Sequence, residues 1–477
     1  MDSDRVFRNH FSVILDSLLT IAIVTVVVLL MLMEGQDPLY SLIIIACVMS
    51  FALLALVHWW HNTTYTFTDT GVEIDIDTLF KSHNSIPYAK LASVGVRRTL
   101  TNHIFGTSTL TFNVNSSLNA SLPEGTLCLK KPAADQLRDA LNAMIFSKDI
   151  TLSEDLQLST MIHISDTDIL IHSFFGQSTW QQIFGTLMLV YSVYGVFAQN
   201  AGGVLIGFMM FLVSEGIPMV KIILKYYNYR IYRVGDTVTV ESGLITNYRS
   251  SFKVNKVNSV KIYQPFLARL CGRASLVGEV VGLAGEDGIP LLCPTKRTAE
   301  VRDLMSRLLP EFACGEAGIG QPRNALYPMM VLNGLLSAAI AAAAVYVCSL
   351  LGPDADPIAV GSVAAVALVA VSIIMGQVFL AQNHRQLSLG DGICMVLHGS
   401  YDLEEEYINL DKVQYTSVDA GPIQRRFGLA RCTIHMMTAI GTDVVKSGLF
   451  LPEDLEKIGG RVMSRIEDGS YDYRDYY

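Results

Sequence analysis

The chain has 477 residues, of which 51% are hydrophobic and only 17% are charged, and its mean hydropathy is +0.38. This composition favours an integral membrane protein over a soluble one. The formal net charge of −9 excludes a protein that binds nucleic acid through its overall charge.

The sequence carries none of the motifs that mark a metal site or a catalytic site. The eight cysteines are scattered, none forms C-x-x-C, and no histidine pair nearby has zinc-ligand spacing. There is no phosphate-binding glycine loop, no G-x-S-x-G and no H-E-x-x-H. We therefore expect free thiols, no metal, no cofactor and no enzymatic activity.

Six long apolar stretches occur in three close pairs, and a long polar region follows each pair. Most of the stretches are close to the ~20 residues that a helix needs to cross the hydrocarbon layer. The pattern predicts six transmembrane helices and a threefold internal repeat. The stretches are residues 11–33, 39–60, 180–199, 201–220, 327–351 and 358–380.

The distribution of basic residues predicts the orientation in the membrane. The short links inside the pairs, at residues 34–38, near residue 200 and at 352–357, contain no Lys or Arg. Because basic loops remain in the cytoplasm, we expect both termini and all three polar regions to be cytoplasmic. The chain is then a multi-pass protein of the plasma membrane.

Each polar region shows the pattern of several strands followed by one helix. The alternation of Val72, Ile74 and Ile76 indicates a half-buried strand, and similar patterns recur in the other regions. Each region ends in a segment with one apolar stripe, and Pro132 and Pro452 suit the first turn of two of these helices. The predicted fold class is an α+β membrane protein, with a curved, barrel-like antiparallel β module and a capping C-terminal helix after each transmembrane pair.

The three polar regions also share a repeat signature. In every copy a lysine precedes a glycine by 16 residues, and a turn precedes the lysine by 13. Glycine adopts the positive φ of tight turns without strain, so we expect each glycine in a hairpin. The lysines either flank a turn or bind headgroups. The pairs are Lys90 and Gly106, Lys256 and Gly272, and Lys412 and Gly428.

Several motifs connect the chain to a known family. They are the paired spans, the aromatic exit Trp59-Trp60, the segments YTFTDTGVEI and SIPYAKLASV, and the FG turn after the lysine. With them the chain resembles the bacterial membrane-flanked PH-like domain family (YdbS/YdbT-like) in its three-copy form, over essentially its whole length. The match is weaker in copy two, where LCG replaces FG, and at the opening of copy three, NHRQLSL. The resemblance implies PH-like modules, no enzymatic activity, and as partner a smaller two-span PH-like membrane protein; self-association is the other expectation.

These patterns divide the chain into membrane pairs, PH-like domains, linkers and a tail. The first linker carries a strand-like run and an apolar patch that we expect partly along the membrane surface. The segments are transmembrane pair 1 (1–60), PH-like domain 1 (61–148), a linker (149–179), transmembrane pair 2 (180–225), PH-like domain 2 (226–310), a linker (311–326), transmembrane pair 3 (327–380), PH-like domain 3 (381–468) and a disordered tail (469–477).

Basic residues recur around the lysine-to-glycine segment and are candidates for binding lipid or a partner. They either contact anionic headgroups or lie on a solvated turn. Region 226–310 has 12 basic and 7 acidic residues, whereas region 381–477 has 10 and 15, so the middle module either faces anionic lipid or docks against the third. The candidates are Arg97, Arg98, Lys261, Arg269, Arg273, Arg425, Arg426 and Arg431.

Two acidic residues fall in or near the predicted spans. Asp16 is near the cytoplasmic end of the first span and either reaches the headgroups or faces the bundle. Glu215 lies beside Gly216 and close to Pro218, which frees a backbone carbonyl. It either sits at the interface, paired with Lys221, or forms a site inside the bundle.

The leading hypothesis is a non-enzymatic scaffold whose three cytoplasmic PH-like domains bind proteins or lipid headgroups, in envelope maintenance or defence. The alternative is a transport or lipid-handling protein with a path through the helices near Glu215. Contact between Asp16 and Glu215, or a shared wet cavity, would favour the alternative.

Overall fold

The computed structural model describes residues 5–18, 21, 38–78, 81–88, 91–114, 125–145, 164–197, 199, 201–280, 290–315, 318–352, 357–438 and 441–469. Most of the first predicted span, Lys90 and nearly all of the C-terminal tail lie outside these ranges.

The helices fall into long apolar ones and short amphipathic ones, and residues 12–18 form a further helical segment. The helices are α1 (Pro38–His61), α2 (Leu100–Phe105), α3 (Lys131–Ile145), α4 (Asp166–Phe175), α5 (Thr179–Phe197), α6 (Ala201–Phe211), α7 (Ile217–Tyr226), α8 (Phe266–Leu270), α9 (Thr298–Leu308), α10 (Leu326–Leu351), α11 (Pro357–His384), α12 (Pro422–Arg426) and α13 (Pro452–Glu467).

Three helices in the described ranges are long and apolar enough to cross a membrane: Gly202–Tyr226, Arg323–Leu350 and Val360–His384. The first combines α6, a π-helical turn at Leu212–Gly216, and α7. A shorter apolar helix covers Ala46–His61. Helix α5 packs along α6, and α10 packs along α11. By this criterion the structure supports three of the six predicted spans.

All strand pairs are antiparallel. The strands are β1 (Arg5–Phe7), β2 (Thr63–Phe67), β3 (Gly71–Asp77), β4 (Lys81–Pro87), β5 (Leu91–Arg98), β6 (Thr107–Val114), β7 (Gly125–Lys130), β8 (Arg230–Val234), β9 (Thr237–Ser242), β10 (Asn247–Lys253), β11 (Val257–Gln264), β12 (Arg273–Val280), β13 (Leu291–Arg297), β14 (Ile319–Gly320), β15 (Gln386–Leu389), β16 (Ile393–Gly399), β17 (Leu403–Asn409), β18 (Val413–Asp419), β19 (Arg431–Thr438) and β20 (Gly441–Lys446).

Each polar region folds as one module of two short sheets and a closing helix. In the first module, β2–β4 and β5–β7 enclose a core that contains the fully buried Leu110 and Phe112, and α3 covers it. Strands β8–β13 with α9 form the second module, and β15–β20 with α13 form the third. The sequence predicted one curved sheet for each module, whereas the structure divides each module into two.

The closing helices confirm the predicted apolar stripes. Helix α9 buries Val301, Leu304 and Leu308 in the second core. Helix α13 buries Leu455 and Ile458 in the third. Burial of such side chains stabilises each module by about 1.5–3 kcal/mol per residue relative to exposure.

The repeat glycines adopt the predicted positive φ, which is 63° at Gly106, 64° at Gly272 and 67° at Gly428. Each lies in the connection of an antiparallel hairpin, β5–β6, β11–β12 or β18–β19, but this connection is not a tight turn. A helix of five or six residues, α2, α8 or α12, connects the two strands, and the glycine follows it. The left-handed glycine ends this helix and directs the chain into the next strand.

The predicted linker 149–179 contains helix α4, which Ser165 and Asp168 begin with a reciprocal capping box. Its apolar side joins the second module, because Ile164 and Ile169 are buried in that core. In the described residues 164–178, the segment therefore belongs to the module, and this corrects the expectation of a linker along the membrane surface.

Candidate functional site

Two strand-to-strand seams join the three modules. Strand β5 of the first module pairs with β10 of the second, and β11 of the second pairs with β17 of the third. The modules therefore share one six-stranded sheet and one seven-stranded sheet. Each seam satisfies the main-chain groups of two strands that would otherwise be open edges.

Both seams have the same register relative to the repeat. In the first, Arg98 lies opposite Asn247. In the second, Gln264 lies opposite Leu403. Arg98 and Gln264 each come eight positions after the repeat lysine of their own module. Asn247 and Leu403 each come nine positions before the repeat lysine of theirs. The seam is thus a property of the repeated unit, used twice.

A buried charge cluster lies in the second seam. Lys261 Nζ lies 3.2 Å from Glu406 Oε1 and 3.7 Å from Glu279 Oε2. The Ser259 hydroxyl donates to Glu406 Oε1 at 2.8 Å. The Glu406 side chain is only 1% exposed, and His398 Nε2 approaches its other oxygen at 3.6 Å. Lys261 therefore holds two modules together, and its charge faces carboxylates.

Further contacts border the two seams. Arg302 of α9 forms an ion pair of 2.9 Å with Glu405 of β17. Tyr407, also of β17, packs against the core of the second module. At the first seam, the Arg97 guanidinium lies 5.9 Å from the ring centroid of Tyr248. At the second seam, basic residues of the middle module, Lys261 and Arg302, therefore pair with acidic residues of the third, Glu406 and Glu405.

Asp402 connects a long helix to two modules. It lies in the turn between β16 and β17, and its carboxylate accepts hydrogen bonds from the Thr179 hydroxyl and from the backbone N–H of Phe266. Thr179 begins α5, and Phe266 begins α8. The Tyr263 hydroxyl donates to the same carboxylate at 3.4 Å. One side chain thus fixes the start of a helix against the second and third modules.

Arg269 also connects a long helix to the second and third modules. Its guanidinium lies 2.6 Å from His384 Nε2, at the end of α11, and it donates to the Ser400 carbonyl at 3.4 Å. Burial lowers the pKa of Arg269 from its ordinary value. In the described structure, the Arg269 side chain therefore contacts other residues of this chain.

Asp16 connects the N-terminal helical segment to the first module. Its carboxylate accepts a hydrogen bond of 2.5 Å from the Thr101 hydroxyl of α2. Nearby, the Asn9 side chain accepts from the backbone N–H of Cys128 at 2.7 Å, and Trp60 Nε1 donates to the Asn9 carbonyl at 2.6 Å. The first helices are therefore fixed to the module by polar contacts.

His172 lies where α4 meets the second module. Its Nδ1 lies 2.9 Å from Thr295 Oγ1, and its ring makes an edge contact with Tyr226 at 5.9 Å between centroids. Burial lowers the pKa of His172 to about 4. The imidazole is therefore neutral at neutral pH.

Glu215 lies in the π-helical turn and is buried, with 2% of its surface exposed. It packs against Gly185 of α5, where an added Cβ would come within 2.6 Å of the carboxylate. The Thr186 backbone donates to the carboxylate, and Oε1 has no hydrogen-bond partner among the described residues. Asp16 and Glu215 thus pack against different partners, Thr101 and Gly185.

The two repeat lysines in the described residues lie at the ends of equivalent short helices. Lys256 ends the 3₁₀ helix Val254–Lys256, and Lys412 ends Leu410–Lys412. The second seam brings the two lysines close together. Burial, together with the charge of Lys256, lowers the pKa of Lys412 to about 8.

The remaining basic candidates divide into exposed and engaged residues. Arg425 and Arg426 are exposed on α12. Arg98 donates to the Thr107 carbonyl at 3.2 Å, within its own module. Arg273 lies opposite Arg297 in the β12–β13 pair.

Arg431 and Arg385 are half-buried and form a pair of like charges close to the end of α11. The Nε atoms of both are buried and have no hydrogen-bond partner among the described residues. Burial, and then the charge of Arg431, lowers the pKa of Arg385. Two such guanidinium groups provide the donors and the charge that a phosphate requires.

No metal-binding chemistry is found in the described part of the chain. Groups of three or more potential metal ligands are absent from it. All eight cysteines are free in the structure.

The comparisons with known proteins agree with the repeated architecture. The family described as the bacterial PH domain matches three times, at residues 17–145, 177–309 and 335–464. The chain belongs to the bacterial PH domain family. Each match begins within or just before a long apolar stretch and ends in a closing helix, so the recurring unit includes both. No curated protein and no solved structure matches.

Sequence reasoning missed the residues that hold the modules to each other and to the helices. Asp402, Glu406 and His172 belong to no repeat signature: His172 is a polar residue in an apolar helix, and Asp402 and Glu406 lie in or beside an ordinary-looking acidic run, Glu404 to Glu406. The uneven charge of the second and third modules was the one signal that pointed to their contact.

Proposed function

We propose that this protein is a non-enzymatic membrane scaffold in which three PH-like modules form one continuous array along the inner face of the plasma membrane. The two seams carry the proposal, because they join the three modules through shared sheets. Six helices in three pairs, of which three meet the criterion of length and composition, anchor the array with both termini in the cytoplasm. The resemblance to the YdbS/YdbT type supports this arrangement and a role in envelope maintenance or defence.

Topology is tested by cysteine labelling in intact cells, with a chain from which the native cysteines have been removed. Cysteines at Gly35, Gly202 and Asp354 should react with a membrane-impermeant thiol reagent. Cysteines at Ser82 and Gln414, which are exposed on modules one and three, should react only after lysis. Labelling of Ser82→Cys in intact cells would contradict the cytoplasmic placement.

We propose that the array binds anionic lipid headgroups at Arg385 and Arg431. The two half-buried arginines are close to the end of a long apolar helix, where a lipid phosphate would accept from the exposed nitrogens of both guanidinium groups. Lys261 and Arg269, by contrast, already have partners in the protein, so headgroup binding is not proposed for them.

The headgroup site is tested by lipid that co-purifies in mild detergent. Arg431→Gln should reduce bound phosphatidylglycerol or cardiolipin at least about tenfold, since one of two charged donors is lost. Arg426→Gln changes an exposed arginine on the same module and should leave the amount unchanged. Equal lipid content in both variants would contradict the site.

Transport or lipid handling remains the second candidate, favoured by one observation. Glu215 is a buried carboxylate in a π-helical turn, and π-helical turns are frequent at functional sites. Glu215→Gln keeps the shape and removes the charge. The scaffold function predicts a variant that is expressed normally and retains the cellular phenotype, whereas normal folding with loss of the phenotype would favour transport.

A further inference from the structure

Two complementary strand edges remain open at the ends of the array. In the described part of the chain, β4 pairs only with β3, and β18 pairs only with β19. Strand β4 corresponds to β10 and β17, which accept a neighbouring module. Strand β18 corresponds to β5 and β11, which dock against one. The first and the last module therefore each present one of the two strand edges that form the internal seams.

The closing helices provide a second, independent observation. Leu309 and Phe312 follow the apolar stripe of the second module and are each 1% exposed, in the cluster against which Tyr407 of the third module packs. In the third module, α13 continues past its apolar stripe and carries Met463 and Ile466. They are 60% and 42% exposed. The closing helix of the third module thus presents two large apolar side chains that no described residue covers.

We infer that a second copy of this chain docks head to tail, with β18 of one copy paired to β4 of the other. The register of the internal seams transfers directly and places Asp419 opposite Ser82 and Tyr415 opposite Ile86. Pro87, which lacks a backbone donor, lies beyond the last pair of the corresponding β11–β17 register. This contact is heterologous, so repeated pairing generates a ring or a filament.

The polar composition of β4 agrees with this pairing. Its residues Lys81 to Ser85 are exposed, and a polar edge strand commonly resists association. However, the paired strands β10 (NYRSSFK) and β17 (LEEEYIN) are also polar. Main-chain hydrogen bonds, which any sequence supplies, therefore form most of this seam, and the exposed Tyr415, Met463 and Ile466 add apolar contact.

The inference rests on the proposed scaffold function for placing both copies on the same side of one membrane. It is tested by co-expressing two differently tagged copies of the full chain without native cysteines, one with Ser82→Cys and the other with Asp419→Cys. Oxidation in membranes should give a covalent dimer that carries both tags. His83→Cys in place of Ser82→Cys points to the opposite face of β4 and should reduce the dimer at least about tenfold.

The internal pair Tyr263→Cys with Glu404→Cys occupies the corresponding positions of the second seam and is the positive control. If this internal pair cross-links and no doubly tagged dimer forms, the inference of a second docked copy is wrong, whereas the array within one chain is supported. If the internal pair does not cross-link either, the array and the docking of a second copy are both wrong. A cross-linked product between one copy and a different protein would also overturn docking of a second copy. Met463→Glu should reduce the doubly tagged dimer, because it places an unpaired charge at the contact, without changing the internal cross-link.

Discussion

At the scale of single residues, buried polar groups fix the relative positions of modules and helices. Asp402 accepts hydrogen bonds from two elements outside its own module, and Glu406 is paired with a lysine of the neighbouring module. Groups of this kind stabilise a structure only while their partners are present, because an unpaired buried charge is costly. Their removal should therefore separate the modules before it unfolds any one of them.

Loss of Lys261 tests this reasoning. Lys261→Met leaves Glu279 and Glu406 buried in the second seam without their cation, and should lower the free energy of unfolding by about 3–5 kcal/mol. Arg302→Ala removes an ion pair across the same seam whose arginine is 59% exposed, and should cost about 0.2–1 kcal/mol. Denaturant unfolding in mild detergent measures both, and equal losses would contradict a buried charge cluster.

His172 should make stability dependent on pH. Its pKa in the folded protein, about 4, is below the ordinary value of 6.5, so the unfolded chain binds a proton first as the pH falls. The contribution of the neutral imidazole is complete above pH 6.5 and is lost between 6.5 and 4, by about 3 kcal/mol.

The measurement is thermal unfolding in detergent between pH 8 and pH 4, compared with His172→Asn. In the variant, the loss of thermal stability between pH 6.5 and pH 4 that His172 causes should be absent, whereas the pH dependence caused by other groups should remain. A wild-type curve that runs parallel to that of the variant would show that the His172 site is not buried as described.

At the scale of elements, the sequence predicted the closing helices, because the periodicity of an apolar stripe, as in α13, records which side is buried. The long helices α10 and α11 were predicted from the length of their apolar runs instead. The uneven charge indicated that the second and third modules are in contact, but the strand pairing of the seams could not be predicted, since it uses main-chain groups that leave no mark in the side-chain pattern. The sequence pattern of segment 149–179 did not predict α4, because this helix has only ten residues and its apolar positions also suit a strand or a membrane-surface patch.

The close packing of α5 on α6 depends on a glycine. A Cβ at Gly207 would lie 2.8 Å from the Met188 carbonyl oxygen and from the Ser192 nitrogen. Because these are backbone atoms, Gly207→Ala should separate the helices and cost about 1–3 kcal/mol. Gly361→Ala in α11 meets nothing within 4 Å and should change stability by less than about 0.5 kcal/mol. Thermal unfolding of the two variants distinguishes them, and equal melting temperatures would refute the close contact.

At the scale of the whole molecule, one structural unit recurs three times and each copy completes the sheet of its neighbour. The family match at three positions and the shared register of both seams describe the same repeat. Edge pairing joins the three modules through two shared sheets. The proposed scaffold function uses this continuity, with the long apolar helices as its membrane anchors.

The central claim is that the modules form one array through seams of identical register, and disulfide cross-linking in native membranes tests it most directly. In a chain without native cysteines, the pairs Arg97→Cys with Tyr248→Cys and Tyr263→Cys with Glu404→Cys should both oxidise rapidly within one chain. Arg97→Cys with Arg249→Cys is shifted by one residue, places the thiols on opposite faces, and should remain reduced. If the matched pairs remain reduced, or if the shifted pair oxidises equally fast, the modules are not joined as described.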